Sequence, residues 1–277
     1  MNFLNHAAQQ LGEQGITDPY REARLLLAHC LGTTYESVFF DPPKILPSDM
    51  QRKFKSLLER RLADEPLSKI KGEREFWGLP FIVTADTLDP RPDSETLIEA
   101  VLEYFPVRDR PYRILDLGTG TGCLLLSLLK EYPQAIGVGV DICEKALRVA
   151  AQNSANLLQR ERCQFICGNW ATALTGTFDI IVSNPPYIAM KENLPKAVSH
   201  YDPPHALLAG IDGLQIYRQL LPDLKKLCYA KTYLFFEIGY TQQEAVKELI
   251  TINLGKDFRC KLDLQGRPRV AIFAYLT

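Results

Sequence analysis

Four consecutive residues, Asn184-Pro185-Pro186-Tyr187, combine a side-chain amide, two rigid imides and a phenol. They follow the apolar run Phe178-Asp179-Ile180-Ile181-Val182, which reads as a buried strand. Two adjacent prolines forbid further ladder bonding and fix an extended backbone. An amide, a proline-locked carbonyl and an aromatic ring are thus held stiffly at a strand end. Such an array suits gripping a small planar group that carries an NH2. The plain alternative is a loop that merely ends a strand, since Pro-Pro is common in loops.

A second group lies upstream. Asp116-Leu117-Gly118-Thr119-Gly120-Thr121-Gly122 sits between an expected strand and its helix. Glycines there let the backbone turn tightly and approach a ligand closely, at the strand end where open α/β sheets bind ligands. The spacing departs from the dinucleotide fingerprint, which wants its third glycine one position later, so a diphosphate is not specifically indicated. A nucleotide-like cofactor is the functional reading, and a tight turn without ligand is the plain one. Asp141 closes the next strand, where a carboxylate can accept both hydroxyls of a ribose or cap the helix that begins near Cys143. The two roles are compatible. Asn169 and Trp170 follow the third strand: the amide is placed to meet an adenine edge, while core packing is the commoner job for an isolated Trp. Asp116 either contacts an amino group or holds the loop.

These groups need a scaffold. Residues 1–64 read as helices, with Phe3, Leu4, Ala7, Ala8 and Leu11 on one face and Gly15 ending the first helix. Asp18-Pro19 is a cap followed by proline at the first helical position. Ser48 and Gln51 have capping-box spacing, and Met50, Phe54, Leu57, Leu58 and Leu62 make a helical stripe. Residues 65–88 resemble a β-hairpin linker, alternating polar with apolar near Gly72 and Gly78. Asp89 to Glu95 cannot be helical through its prolines, and Ser94 makes a good cap for the helix that follows. From residue 113 strands alternate with helices, which implies a mostly parallel sheet covered on both faces. A final strand pair around Gln265-Gly266-Arg267-Pro268 should be antiparallel.

Composition excludes several classes. With 32 Lys+Arg against 33 Asp+Glu over 277 residues, no global field draws the chain to nucleic acid or an anionic membrane. Seven cysteines without paired short spacings make no disulfide framework, and no His or Cys set completes a zinc site around Cys163 and Cys167. No apolar run nears the ~20 residues that span a bilayer, and the start lacks the basic and apolar regions of a signal peptide. A cytoplasmic protein without metal or membrane partner is expected.

Taken together, the glycine loop, Asp141 and Asn184 to Tyr187 resemble the class I S-adenosylmethionine-dependent methyltransferases that modify a planar NH2. Phe76-Trp77-Gly78, Pro90 to Glu95, Ala206-Leu207 with Asp212-Gly213-Leu214, and Gly266 to Val270 narrow the resemblance to the protein-(glutamine-N5) methyltransferases of peptide chain release factors, the PrmC/HemK family. It extends over essentially the whole chain. It implies a helical substrate-recognition domain (1–64), the hairpin linker (65–88) and a Rossmann-like methyltransferase domain (89–277) with a seven-stranded, mostly parallel sheet whose last strand is antiparallel. By the same resemblance, Gly118, Thr119, Gly120, Thr121 and Gly122 border the cofactor's methionine and ribose. Asp141 holds the ribose hydroxyls, and Asn169 and Trp170 lie by the adenine. Asn184 borders the cofactor as well. Asn184, Pro185, Pro186 and Tyr187 bind the glutamine of the release factor's Gly-Gly-Gln motif, with Asn184, Pro185 and Tyr187 catalytic and S-adenosylhomocysteine the product. Asn169 stands where that family commonly has Asp, and Asp89 replaces a more usual apolar residue.

An amide nitrogen is a poor nucleophile because its lone pair is delocalised. The Asn184 oxygen and the Pro185 carbonyl, both accepting from the substrate NH2, would turn that lone pair toward the methyl, with Tyr187 covering the amide face. Orientation of this kind is worth up to roughly 7–11 kcal/mol, and no general base or metal is required. A glutamine of a ribosomal protein is a near alternative. Adenine-N6 methylation is the rival in substrate class, opposed by the balanced charge of residues 1–80, since base-flipping enzymes need a basic surface.

Overall fold

The structure, a computed structural model, describes residues 3–172, 174–255 and 257–275. The chain divides into two compact units; one extends to Glu73 and includes Pro195–Tyr201, and the other holds the rest.

The first unit is helical, with Phe3–Glu13, Pro19–Leu31, Tyr35–Phe40, Ser48–Leu62 and Leu67–Lys71. Leu4, Leu11, Leu26, Leu27 and Phe54 fill its core. Asp18 caps the second helix by accepting from the Arg21 N–H at 3.1 Å, ahead of Pro19. Gly32, in the left-handed conformation, ends it. The capping box expected at Ser48 and Gln51 does not form. Pro47 occupies the cap position, and the Gln51 amide reaches back past it to donate to the Leu46 carbonyl at 2.7 Å. The expected hairpin over 65–88 also starts later. Pro66 opens, and left-handed Gly72 closes, the short helix Leu67–Lys71, so only the segment after it is free to extend. A one-turn helix, Lys196–Ser199, belongs with this unit, and the Tyr201 hydroxyl donates to the Ala63 carbonyl at 2.9 Å.

The hairpin itself is β1 (Glu73–Phe76) and β2 (Leu79–Ile82), turned by Trp77 and Gly78, both at positive φ. The main sheet contains β3 (Arg113–Leu117), β4 (Ile136–Asp141), β5 (Cys163–Cys167), β6 (Ile180–Ser183), β7 (Tyr233–Glu237), β8 (Phe258–Leu262) and β9 (Pro268–Ala274), in the order β5-β4-β3-β6-β7-β9-β8. β3 to β7 pair in parallel, whereas β9 runs antiparallel to both neighbours. This is the mostly parallel α/β sheet that the alternation implied, in the Rossmann-like, seven-stranded form that the resemblance implied.

Burial on both faces explains the near-continuous apolar strands. Ile114, Val182 and Phe235 face one core with Leu97, Ile98 and Leu128 of helices Glu95–Tyr104 and Cys123–Glu131. Their neighbours Leu115, Ile181 and Leu234 face the other, with Leu220, Leu221 and Val246 of Gln215–Leu224 and Gln243–Asn253. The chain leaves β3 in one direction toward β4 and β5 and later returns to add β6 and β7 on its other side. That reversal opens a crevice at the carboxyl ends of β3 and β6, where open α/β sheets take ligands. Among the described residues no helix is long and apolar enough to cross a membrane, and no cluster of His, Cys, Asp and Glu could hold a metal ion.

Candidate active site

A cavity of about 310 Å³ lies in that crevice, with Gly118, Gly120, Asp141, Trp170 and Asn184 in its wall. The glycine turn is shaped by backbone bonds: Gly118 and Thr119 N–H both donate to the Val140 carbonyl, at 2.8 and 2.9 Å. Gly118 has φ +76°, and a Cβ there would stand 3.2 Å from the Trp170 ring. Only glycine satisfies both conditions. Gly118 and Gly120 therefore present bare backbone to the cavity. The other loop residues turn elsewhere. Thr119 donates its hydroxyl to Asp116 Oδ2 at 2.6 Å, and Gly122 packs against Leu126 and Ala150. The Thr121 carbonyl accepts from Asn153 Nδ2 at 2.9 Å. Asn153, fully buried in helix Glu144–Asn156, also exchanges two hydrogen bonds with Ile82 of β2, at 2.8 and 3.1 Å.

Asp116 is fully buried behind the loop. Desolvation pushes its carboxyl up to about 7, against the Thr119 hydrogen bond and with help from the Asp141 charge. Its Oδ1 has no hydrogen-bond partner among the described residues. Asp141 accepts from the chain at both oxygens, Oδ2 from Gly120 N–H and Oδ1 from Cys143 N–H, each at 2.9 Å, while Cys143 itself holds the cap position of the next helix. Each oxygen retains a further lone pair for a ligand hydroxyl. Ile142 lines the cavity while 65 % exposed, and Trp170, held at φ +52°, lines it with Asn169. A left-handed tryptophan costs roughly 1–2 kcal/mol. A carboxylate with spare acceptors, apolar faces and a glycine cradle fit a nucleoside-like group.

The Asn184 to Tyr187 segment is braced on several sides. Ser183, just before it, donates to the Leu117 carbonyl at 2.6 Å, locking the ends of β6 and β3 together. Asn184 Nδ2 donates to Ser94 Oγ at 3.0 Å, and Ser94 donates to Glu237 Oε2 at 2.5 Å. The Tyr187 hydroxyl donates to the other carboxylate oxygen at 3.1 Å. The Tyr187 carbonyl accepts from Gln242 Nε2 at 2.9 Å. Farther on, Ile188 and Leu208 form a bridge, supported by Ile188 N–H to the Leu207 carbonyl and Ala209 N–H to the Ile188 carbonyl. Asn184 Oδ1 and the Pro185 carbonyl accept nothing from the described residues. Asn184 and Pro186 line the cavity, and Pro185 and Tyr187 do not.

Glu237 ends β7 and is buried. Burial raises its carboxyl above the usual range, opposed by the Ser94 bond and by nearby Arg269. Arg269 pairs with Asp93 and Asp263, each at 3.1 Å. Burial, with the Glu237 charge second, raises the Tyr187 phenol, so it stays protonated and donates.

Sequence reasoning missed Glu237 and Gln242 and read Ser94 only as a helix cap. The hydroxyl of Ser94 makes no cap bond because it is committed to Glu237. The available signal was a carboxylate closing the apolar run Tyr233-Leu234-Phe235-Phe236. His205 lines the cavity, and His200 sits at the end of the one-turn helix in the first unit.

The chain is similar to known proteins at both family and fold level. The family described as "PrmC N-terminal domain" matches residues 2–72, and "Methyltransferase small domain" matches residues 75–200. A release factor glutamine methyltransferase of Rhodospirillum rubrum is 40% identical over 269 residues, covering 96% of this chain and 82% of the relative. That of Cereibacter sphaeroides is 39% identical over 270 residues, covering 96% and 95%. Among solved structures, the Thermus thermophilus 16S rRNA N2 G1207 methyltransferase in complex with AdoMet and guanosine aligns with a TM-score of 0.52 at 20% identity, over 74% of this chain and 50% of the other. The hMettl16 catalytic domain gives 0.58 at 14%, over 79% and 83%. These two show the shared fold. Sequence identity near 40% over nearly the full length of both proteins goes further: the chain belongs to the release factor glutamine methyltransferase family.

Proposed function

We propose that this protein transfers a methyl group from S-adenosylmethionine to the side-chain amide nitrogen, N5, of the glutamine in the Gly-Gly-Gln motif of a peptide chain release factor. One observation carries the reading. Asn184 Oδ1 and the carbonyl of the next residue, Pro185, are acceptors unused by the described residues, and Asn184 lines a cavity that fits a nucleoside. Two convergent acceptors match the two hydrogens of a carboxamide NH2.

The donor, when bound, supplies an electrophilic methyl on a sulfonium. Gly118 and Gly120 would approach its chain closely, Asp141 would accept from the ribose hydroxyls, and Trp170 with Ile142 would flank the base. Asn169 would offer its amide oxygen to the base's amine. The remaining work is positioning. Asn184 and Pro185 accept from the substrate NH2 and turn its lone pair toward the methyl. Tyr187, anchored through its hydroxyl to Glu237 and through its carbonyl to Gln242, limits rotation of the amide. Preorganised acceptors of this kind stabilise the positive charge that builds on nitrogen during transfer. The proton leaves after the methyl arrives, and S-adenosylhomocysteine is the co-product.

The partner is a protein rather than a nucleic acid, supported by the near cancellation of 32 basic and 33 acidic residues. The helical unit exposes Phe40 and Ile45 and is the element we assign to release-factor recognition. A translation-related substrate and the free cysteines support a cytoplasmic location. The test is Asn184→Ala, assayed with labelled S-adenosylmethionine and a release factor. Transfer is expected to be lost while donor binding persists, and retained turnover would refute the assignment.

A further inference from the structure

We propose that Glu237, acting through Ser94, fixes which end of the Asn184 amide faces the substrate, and so makes the site select a carboxamide over a carboxylate. The inference rests on Asn184 gripping the substrate amide.

An Asn side chain is nearly symmetric in shape, and its two ends differ only as donor and acceptor. Something must decide its sense. Ser94 alone cannot, because a hydroxyl serves as either donor or acceptor. The decision comes from the far side of Ser94. Two hydroxyls converge on Glu237, Ser94 on Oε2 and Tyr187 on Oε1, and a carboxylate only accepts. The single proton of Ser94 is thereby committed to Glu237. Its remaining lone pairs, 3.0 Å from Asn184, require a donor, which is Nδ2. Oδ1 is left pointing at the substrate. Ser94 and Glu237 are 3% and 1% exposed, so water does not compete for either bond. Burial raises the Glu237 carboxyl, and the two donated hydroxyls together with the charge of buried Arg269 oppose that rise and favour the accepting form.

The consequence is a test of substrate chemistry. A glutamine meets Oδ1 and the Pro185 carbonyl with two N–H donors. A glutamate of the same shape meets them with oxygen, acceptor against acceptor. Reversal of Asn184 would offer Nδ2 instead and soften that mismatch. Glu237 and Ser94 are therefore positioning residues: neither touches the substrate, yet the pair sets what Asn184 can recognise.

The experiment measures binding of a release factor and of its Gly-Gly-Glu variant by calorimetry with S-adenosylhomocysteine present, so no turnover is needed. In the parent protein the glutamine form should bind roughly 10-fold to 100-fold more tightly, the range for leaving buried polar groups mispaired. Ser94→Ala frees the Asn184 amide while keeping the Glu237 charge, and the preference should fall by about 10-fold or more. Adding Glu237→Gln to Ser94→Ala should then change the preference little, because the link is already cut. Affinity for S-adenosylhomocysteine should stay unchanged in both. Should Ser94→Ala not fold, Ser94→Cys serves in its place, since a thiol donates and accepts weakly. An undiminished preference in the folded Ser94 variant overturns the inference. Loss of preference in Asn184→Ala, with none in the Ser94 variant, would leave the substrate grip standing and remove only the role of Glu237. Full preference in Asn184→Ala would instead remove the grip itself.

Discussion

Asn153 offers a sharp test of how the glycine loop is held. Its side chain is fully buried, donates to the carbonyls of Thr121 and Ile82, and accepts from the Ile82 N–H. Asn153→Ala leaves three backbone groups without a partner, one buried at Thr121 and two part-buried at Ile82. At about 1 kcal/mol for each hydrogen bond, and more where a group is left unsatisfied, the loss is at least ~3 kcal/mol. For a chain of this size that is a fall in Tm of roughly 6–12 °C. The same change frees one side of the turn that presents Gly118 and Gly120, so affinity for S-adenosylmethionine should fall in parallel. Asn153→Asp adds a sign. One carboxylate oxygen still accepts from Ile82 N–H, but the other faces two carbonyls, so at neutral pH this variant should be less stable than Asn153→Ala. Lowering the pH protonates the carboxyl, restores one donor and narrows the gap. Thermal unfolding of the parent and both variants at two pH values, with donor binding by calorimetry, decides it. A Tm for Asn153→Ala within about 2 °C of the parent, or a gap to Asn153→Asp that does not respond to pH, would refute the reasoning.

Two further outcomes follow from buried or bonded carboxylates. Asp141→Ala removes an acceptor shared by Gly120 N–H and Cys143 N–H, so donor affinity should drop and stability should fall by about 1–2 kcal/mol; unchanged affinity by calorimetry would exclude the ribose role. Asp116, raised to about 7 by burial, keeps in the native state a proton that the unfolded chain releases near its ordinary value of 3.8. Its contribution to stability is therefore full below about pH 4 and lost as pH rises toward 7, by an amount on the order of 4 kcal/mol. Asp116→Asn removes that titration, so its stability relative to the parent should climb across the same window in denaturant melts. A difference that stays flat with pH would show that Asp116 does not titrate there.

What could be read from the sequence was local. The alternation of strand and helix after residue 113, the Asp18-Pro19 cap and the glycine turn each depend on neighbours within a few positions, and the structure has them. Ser48 and Gln51 fit the spacing of a capping box, but a proline in the cap position redirected the glutamine. The bracing of Asn184 was not legible for a different reason. Ser94 lies 90 positions from Asn184 and 143 from Glu237, and Tyr187 lies 50 from Glu237. Nothing within a window of ten residues distinguishes Ser94 from any serine that begins a helix. The fold had to bring β7 beside β6 before the carboxylate at its end could meet either hydroxyl.

The bridge between Ile188 and Leu208 has a consequence for how this enzyme can diverge. Residues between these two points leave the segment that ends at Tyr187 and return to its side, where both ends are pinned by backbone hydrogen bonds. An excursion closed at its base can change length without pulling on what precedes it. Its closure entropy grows only with the logarithm of length, about 0.6 kcal/mol for each doubling. Insertions there are thus thermodynamically cheap, and they fall immediately beside the residues assigned to chemistry. The stretch from 190 to 194, ahead of the one-turn helix that belongs with the first unit, is a place where descendants of this chain could acquire new substrate contacts while Asn184 to Tyr187 stay as they are.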